Sequence, residues 1–202
     1  MKVFGLVGGV ACGKSLVAGC FRDLGALVLD GDKAGHEVLT EPAVIAQLRR
    51  RWGDGFLNAD GSVNRRAVAQ IVFAHSGQDE LRFLESISHP RIAAKFRAAI
   101  DAARTAGNVP AVVLDAALLF DGGWEKLCDV VIFVSVPREN RLTRAKSRGW
   151  SEADLISREA VQLPLDEKRH RSGYVIDNSG TPDETRQQVG EFWRQYIGAT
   201  DH

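Results

Sequence analysis

A glycine-rich loop near the start of the chain combines a lysine and a serine in a spacing that suits phosphate chemistry. The loop reads Gly8-Gly9-Val10-Ala11-Cys12-Gly13-Lys14-Ser15 and matches G-x-x-x-x-G-K-[ST] at every fixed position. In such a loop the backbone N–H groups point at phosphate oxygens, the lysine reaches the β- and γ-phosphates, and the hydroxyl is placed to ligate Mg²⁺. The loop therefore predicts binding of a nucleoside triphosphate, with ATP and Mg²⁺ as the expected ligands.

The residues on either side of the loop favour this interpretation over a chance match in an ordinary glycine turn. Residues 2–7 are typical of a short buried strand, and residues 16–24 have apolar side chains three and four apart, as in a helix. Strand, glycine loop and helix form the arrangement that phosphate binding requires, because the helix N-terminus adds partial positive charge. The residues predicted to bind the nucleotide are Gly8, Gly9, Ala11, Cys12, Gly13, Lys14, Ser15 and Leu16.

Carboxylates follow two further strand-like runs. The first run ends in Asp30-Gly31-Asp32, and both carboxylates would project from the same side if the chain stayed extended there. Phosphoryl transfer to a hydroxyl needs a group that accepts the proton, and a carboxylate at this position suits that role. The alternative is that one of the pair only caps the following helix, an interpretation that suits Asp30 better than Asp32. The second run, 112–115, ends in Asp115, which could hold Mg²⁺ directly or through water, although many strands end in aspartate.

Two basic stretches occur in the second half of the chain. Arg141, Arg144 and Arg148 are three and four residues apart, which places them on one helical face. A second stretch follows at Arg158 and at residues 168–171. Arginine clusters suit a phosphoryl group in transfer, because the planar guanidinium donates two bonds to phosphate oxygens. The alternative is a solvated helix face with ion pairs.

Composition excludes several classes of protein. The 202 residues include 26 Lys+Arg and 26 Asp+Glu, and this zero formal charge argues against a protein-wide electrostatic grip on nucleic acid or a membrane. The three cysteines have no C-x-x-C spacing, so neither a disulfide framework nor a zinc site is indicated. The N-terminal apolar run is too short to span a membrane, and no signal peptide is predicted. We expect a soluble cytoplasmic protein, a monomer or small homo-oligomer, with no nucleic-acid or membrane partner.

Five apolar runs predict a doubly wound α/β sheet, because most of them lack polar alternation, as parallel strands covered on both faces do. The runs are 3–7, 26–29, 111–114, 130–136 and 174–176. About 80 residues separate the second run from the third, far more than one crossover helix needs. Helix-like stretches in this gap are 40–52, 64–73 and 80–104. A helical insert there would overhang the nucleotide crevice, where a second substrate would be held.

The last predicted helix has a clear start signal. Thr181 is its N-cap, and Glu184 closes a capping box. Val189, Phe192, Trp193 and Tyr196 then lie at helical spacing, which predicts core packing rather than a partner surface.

These features together resemble the dephospho-coenzyme A kinase family over nearly the full chain. The resemblance depends on Asp30-Gly31-Asp32, His89-Pro90, Leu118-Leu119-Phe120-Asp121, Arg144, Arg148, Gln162-Leu163-Pro164-Leu165-Asp166-Glu167-Lys168-Arg169 and Asp177-Asn178-Ser179-Gly180. Two places depart from the usual family pattern. The loop has Ala11-Cys12-Gly13-Lys14-Ser15-Leu16 in place of Gly-Ser-Gly-Lys-Ser-Thr, and Asp121 replaces a glutamate.

The resemblance implies a P-loop NTPase fold with a five-stranded parallel sheet flanked by helices. It also implies a helical insert that binds coenzyme A, at about 31–109, and a helical lid, at about 137–171. The core would comprise about 1–30, 110–136 and 172–202. The implied activity is ATP-dependent phosphorylation of the ribose 3′-hydroxyl of dephospho-coenzyme A to coenzyme A and ADP, the last step of coenzyme A biosynthesis.

The same resemblance implies roles for individual residues. Asp32 would be the base near the acceptor hydroxyl, and Arg144 would be one of the lid arginines. The implied catalytic residues are Asp32, Lys14 and Arg144; the substrate-binding residues are Asp32, His89 and Arg148; and the metal ligands are Ser15 and Asp115. Two alternatives stay open: a kinase of this architecture that acts on a nucleoside monophosphate, and a regulator that binds nucleotide without fast turnover. A GTPase is not indicated, because the sequence lacks an Asn-Lys-x-Asp motif.

Overall fold

The five apolar runs of the sequence form one β-sheet in a computed structural model, which describes residues 1–74 and 78–198. The strands are β1 (Lys2–Gly8), β2 (Leu27–Asp30), β3 (Ala111–Asp115), β4 (Val130–Ser135) and β5 (Tyr174–Asp177). The helices are α1 (Lys14–Asp23), α2 (Gly31–Leu39), α3 (Pro42–Trp52), α4 (Arg65–Val72), α5 (Gln78–Ala106), α6 (Arg138–Ser147), α7 (Glu152–Glu159), α8 (Leu165–His170) and α9 (Pro182–Ile197). A short 3-10 helix spans Trp124–Leu127.

All strand pairs of the sheet are parallel, and the strand order is β2-β3-β1-β4-β5. Strand β1 lies at the centre, where residues 3–8 are buried, because helices cover both faces of such a sheet. In register, Leu6 of β1 pairs with Asp115 of β3, and Asp30 of β2 pairs with the same Asp115. The predicted α/β fold with a five-stranded parallel sheet is therefore confirmed.

An aromatic cluster joins the sheet to α1 and α9. Phe192 of α9 contacts Phe4 of β1 edge-on, with ring centroids 4.9 Å apart, and Phe21 of α1 at 5.7 Å. Each such pair contributes about 0.5–1.5 kcal/mol beyond the burial of its area. Val189 and Trp193 are also buried, and Tyr196 is half-buried against the same cluster, so the predicted core stripe of the last helix is confirmed.

The chain divides into two compact units. The first comprises Met1–Gly31 and the chain from Phe96 onward, and it contains the sheet. The second comprises Asp32–Lys95. In the second unit the Trp52 ring contacts the edges of Phe56 and Phe83, at centroid distances of 5.7 and 6.1 Å.

The three helix-like stretches of the insert correspond to α3, α4 and α5. Helix α5 continues through Pro90, although proline has no N–H to donate to the carbonyl of Ser86. Within the described ranges, no helix combines the length and hydropathy needed to cross a bilayer.

The chain does not stay extended between Asp30 and Asp32. The prediction that both carboxylates project from the same side of an extended strand is therefore wrong. Strand β2 ends at Asp30, and α2 begins at once with Gly31. A Cβ at Gly31 would come within 2.8 Å of the Ala116 Cβ, so this close approach to the end of β3 favours glycine where the chain turns into a helix. Asp32 consequently lies in the first turn of α2, where a negative charge stabilises a helix.

Candidate active site

The phosphate loop leaves the carboxyl end of β1 and leads into α1. Gly13, which precedes the helix, has a left-handed backbone with φ of +86°, and a Cβ there would overlap Asn178. A Cβ at Gly8 would lie 2.9 Å from the carbonyl oxygen of Val134 in β4. The loop is thus held close to neighbouring backbone and side chains at both ends, which only glycine permits. The first N–H groups of α1 form the kind of helix N-terminus that binds anions.

Lys14 and Asp115 form an ion pair at this loop. The distance from Lys14 Nζ to Asp115 Oδ1 is 3.6 Å, and about a fifth of each side chain is exposed. Ser15 follows Lys14 in α1 and is exposed. The structure therefore brings together three of the residues that were predicted for phosphate and metal binding.

The donors at this position fit Mg²⁺. This ion prefers oxygen ligands and is commonly held by one or two carboxylates together with substrate phosphates and water. Asp115 supplies a carboxylate and Ser15 a hydroxyl. No group of three or more His, Cys, Asp or Glu side chains that could hold a metal exists in the described part of the chain. A metal here would consequently depend on phosphate and water for most of its ligands.

A network of hydrogen bonds fixes the carbonyl oxygen of Cys12 in the phosphate loop. Arg144 of α6 donates to it from Nη1 at 3.1 Å, and Asn178 donates from Nδ2 at 2.8 Å. Arg144 also donates to the carbonyl of Asn178 at 2.8 Å, while Thr185 donates to the Asn178 side chain at 2.8 Å. Arg144, which was predicted to be catalytic, therefore contacts the backbone of the loop.

The roles of Asn178 and Thr185 in supporting the loop were not predicted. Asn178 belongs to one of the family motifs, but that motif did not indicate what the side chain contacts. The thiol of Cys12 is buried, and burial raises its pKa. The backbone of Cys12, rather than its thiol, thus organises the loop.

Arg141 lies one turn before Arg144 and is 5% exposed. Its guanidinium donates to Glu159 of α7, and a Cβ at Gly9 would lie 2.9 Å from Arg141 Nη1. Arg148 differs, because it is exposed and its guanidinium carbon is 5.8 Å from the centroid of the Trp150 ring. Arg148 is therefore exposed to solvent, whereas Arg141 is buried and does not belong to a solvated helix face.

The second basic stretch contains a fully buried lysine, Lys168. Lys168 is therefore not part of a solvated helix face. Its ammonium donates to the Ala117 carbonyl at 3.1 Å and to the Gln162 side chain at 2.8 Å. Burial lowers the pKa of Lys168, and the negative charge of Asp121 opposes that shift. Asp121 also accepts a bond from the Leu163 N–H at 3.1 Å. Together these bonds hold the segment after β3 against the residues that lead into α8.

Asp32 and His89 belong to the second unit. Asp32 lies in the first turn of α2, and His89 lies in α5 directly before Pro90 and is half-buried. Their predicted contacts with the acceptor substrate stay predictions.

Comparison with known proteins identifies relatives along nearly the whole chain. A family model described as dephospho-CoA kinase matches residues 2–184. The dephospho-CoA kinase of Symbiobacterium thermophilum is 40% identical over 200 residues, which cover 98% of this chain and 82% of that protein. The enzyme of Geobacter sulfurreducens is 37% identical over 195 residues, which cover 96% of this chain and 98% of that protein.

Solved structures show the same fold. A crystal structure of a Thermus thermophilus protein matches with a TM-score of 0.79 and 29% identity, covering 98% of both chains. Dephospho-CoA kinase from Campylobacter jejuni matches with a TM-score of 0.72 and 23% identity, covering 96% of both chains, and supports the fold alone. The family match and the sequence identities show that the chain belongs to the dephospho-CoA kinase family, which uses ATP to phosphorylate dephospho-CoA in the final step of coenzyme A biosynthesis.

Proposed function

We propose that this protein transfers the γ-phosphoryl group of ATP to the ribose 3′-hydroxyl of dephospho-coenzyme A, giving coenzyme A and ADP. The observation that carries the proposal is the phosphate loop, in which Lys14 lies 3.6 Å from Asp115 within a chain of this family. Lys14 and the loop N–H groups bind the β- and γ-phosphates. Arg144, which donates to the loop at Cys12, offsets negative charge as the phosphoryl group moves.

Ser15 and Asp115 are the residues that would hold Mg²⁺. When bound, the ion neutralises charge on the β- and γ-phosphates. The remaining work of the protein is alignment, because phosphoryl transfer needs little covalent participation from side chains.

The acceptor is bound by Asp32, His89 and Arg148 in this proposal. Asp32 orients the 3′-hydroxyl and accepts its proton. The helical insert at about 31–109 binds the coenzyme A portion, and residues 137–171 form the lid. Apolar contacts support the lid assignment, because Leu155 of α7 and Ala145 of α6 are buried together with Ala11 of the phosphate loop.

We further propose that the protein acts in the cytoplasm as a monomer or small homo-oligomer, with neither nucleic acid nor membrane as a partner. The zero formal net charge supports the last two points.

An assay of ATP consumption tests the proposal against its alternatives. Dephospho-coenzyme A, AMP, CMP and pantothenate are supplied separately as acceptors, and the product is analysed for a 3′-phosphate. We expect turnover with dephospho-coenzyme A alone. Turnover with AMP or CMP instead would indicate a nucleoside monophosphate kinase. ATP binding without turnover on any acceptor would indicate a regulator.

A further inference from the structure

Arg141 and Glu159 form a buried ion pair beside the phosphate loop. Nη1 of Arg141 donates to Oε1 of Glu159, and only 6% of the arginine side chain and 25% of the glutamate side chain are exposed. A Cβ at Gly9 would lie 2.9 Å from Nη1 and 3.2 Å from the guanidinium carbon. The positive charge of Arg141 therefore rests against the backbone of the loop that binds phosphate.

This guanidinium retains hydrogen-bonding capacity at the loop. Nε of Arg141 is buried, and it has no acceptor among the described residues. Buried donors are rarely left without a partner, because the lost bond to water is not replaced. Arg144, on the same face of α6, instead donates to the carbonyl oxygens of Cys12 and Asn178. The two arginines thus differ: Arg144 donates to the backbone of the loop, whereas Nε of Arg141 has no acceptor among the described residues.

We propose that the Glu159 carboxylate and the phosphate oxygens of ATP compete for Arg141, so that Glu159 sets the affinity of the loop for ATP. A guanidinium binds carboxylate and phosphate in the same planar geometry, and the triphosphate carries more negative charge than one carboxylate. Transfer of Arg141 to the phosphates releases Glu159, which then faces a like charge. The inference depends on the proposed function only for the identity of the nucleotide.

Neutralising the carboxylate tests the competition. Glu159→Gln keeps the size of the side chain and removes its charge, and we expect it to bind ATP about tenfold more tightly than the wild type. We expect Arg141→Gln to bind ATP about tenfold more weakly. In the Arg141→Gln background, adding Glu159→Gln should not change the dissociation constant, because the residue for which the anions compete is gone. If Glu159→Gln does not fold, Glu159→Met is the second uncharged variant.

The pair Arg138–Glu152 provides a matched control. It also joins α6 to α7, with an N–O distance of 2.5 Å, but about half of each side chain is exposed. Arg138→Gln and Glu152→Gln should leave the ATP dissociation constant unchanged, because neither residue contacts the loop in the proposal. Effects on ATP affinity equal to those at Arg141 and Glu159 would mean that any link between the helices suffices, and would overturn the inference.

The outcomes separate this inference from the proposed function. A wild-type enzyme that phosphorylates dephospho-coenzyme A, with ATP affinity unchanged or weakened in Glu159→Gln, overturns the competition alone. A folded wild-type protein that does not bind ATP overturns the proposed function as well.

Discussion

The side-chain amide of Asn178 donates to the carbonyl oxygen of Cys12 at 2.8 Å and so joins the end of β5 to the phosphate loop, 166 residues away in sequence. In a trans peptide the C=O and the following N–H point in opposite directions. Fixing the Cys12 carbonyl therefore also fixes the N–H of Gly13, a donor on the opposite side of the peptide. Asn178 thus orients a group that we expect to bind phosphate.

Asn178→Ala should lower both stability and turnover. The substitution removes the bond to Cys12 and the nearer of two acceptors of the Thr185 hydroxyl, so we expect a loss of about 1–3 kcal/mol in the free energy of unfolding. Turnover should fall because the loop is less well ordered. Chemical denaturation and steady-state kinetics measure the two effects. Asn140→Ala is the control, because it also removes an asparagine that donates to a backbone carbonyl, that of Ser179, at a longer 3.3 Å. We expect smaller effects on stability and turnover from this variant. Wild-type turnover of the Asn178 variant would contradict a role in ordering the loop.

Lys14→Ala and Ser15→Ala should lose turnover for different reasons. The first removes a positive charge from the transferring phosphates, and the second weakens placement of the metal. Removing one preorganised electrostatic group typically lowers turnover by a factor of about 10²–10³. Ser15→Thr keeps the hydroxyl and should retain most of the activity. Near-wild-type rates in both alanine variants, measured at saturating ATP, would rule out the assignment of the phosphate loop.

The sequence predicted the strands and the loop well, because buried parallel strands are continuous apolar runs and the loop is defined by local spacing. The capping box between Thr181 and Glu184 is likewise local and is confirmed. A helix after Asp30 was expected, but its start at Gly31 was not, since the turn there depends on the close approach of Gly31 to Ala116, which are far apart in sequence.

The contacts that support the loop could not be predicted for the same reason. Arg144 and Cys12 are 132 residues apart, and only the strand order brings them together. Lys168 shows a second limit. In sequence Lys168 is one of several charged residues at helical spacing. That spacing is the same whether the lysine side chain is buried or exposed, so it could not indicate that Lys168 is buried.

Lys168 should make the stability of the protein depend on pH in the alkaline range. Its pKa in the folded state is lowered by burial from an ordinary value of 10.5. Between the lowered pKa and 10.5 the unfolded state binds more protons than the folded state, so the contribution of Lys168 to unfolding free energy increases as pH rises. Lys168→Met should lack this increase. The measurement is the free energy of unfolding of each protein from neutral pH toward pH 10.

Lys146→Met, at an exposed position of α6, is the control for the loss of one positive charge. If the wild type and Lys168→Met keep a constant difference in unfolding free energy across the pH range, the ammonium is not titrating differently in the folded and unfolded states, and the argument from burial is wrong.

The lid assignment predicts a change in hydrogen exchange. When ATP and dephospho-coenzyme A bind together, amides in residues 137–171 should exchange more slowly, and by a larger factor than those of β4. Strand β4 is the internal control, because its ladder bonds lie inside the sheet. Unchanged exchange in residues 137–171 would mean that this segment is an ordinary surface rather than a lid.

The proposed base is tested by comparing Asp32→Asn with Asp30→Asn. Asparagine keeps the size and hydrogen-bonding shape of aspartate but cannot accept the hydroxyl proton. If Asp32 is the base, turnover with dephospho-coenzyme A should fall by about 10²–10⁴ while ATP affinity stays nearly unchanged. Asp30 ends β2 opposite Asp115, so Asp30→Asn should act through positioning or stability, with a smaller loss of rate.

Asp32 also lies in the first turn of α2, so its substitution has a structural effect that must be separated from the chemical one. Loss of one negative charge there destabilises a helix by about 0.3–1 kcal/mol, too little to unfold a stable enzyme. Turnover, an ATP titration and thermal unfolding of each variant distinguish the two effects. An active Asp32→Asn enzyme, or a larger loss of rate in Asp30→Asn, would assign the base to another residue, because a folded protein without the base cannot remove the hydroxyl proton at the wild-type rate.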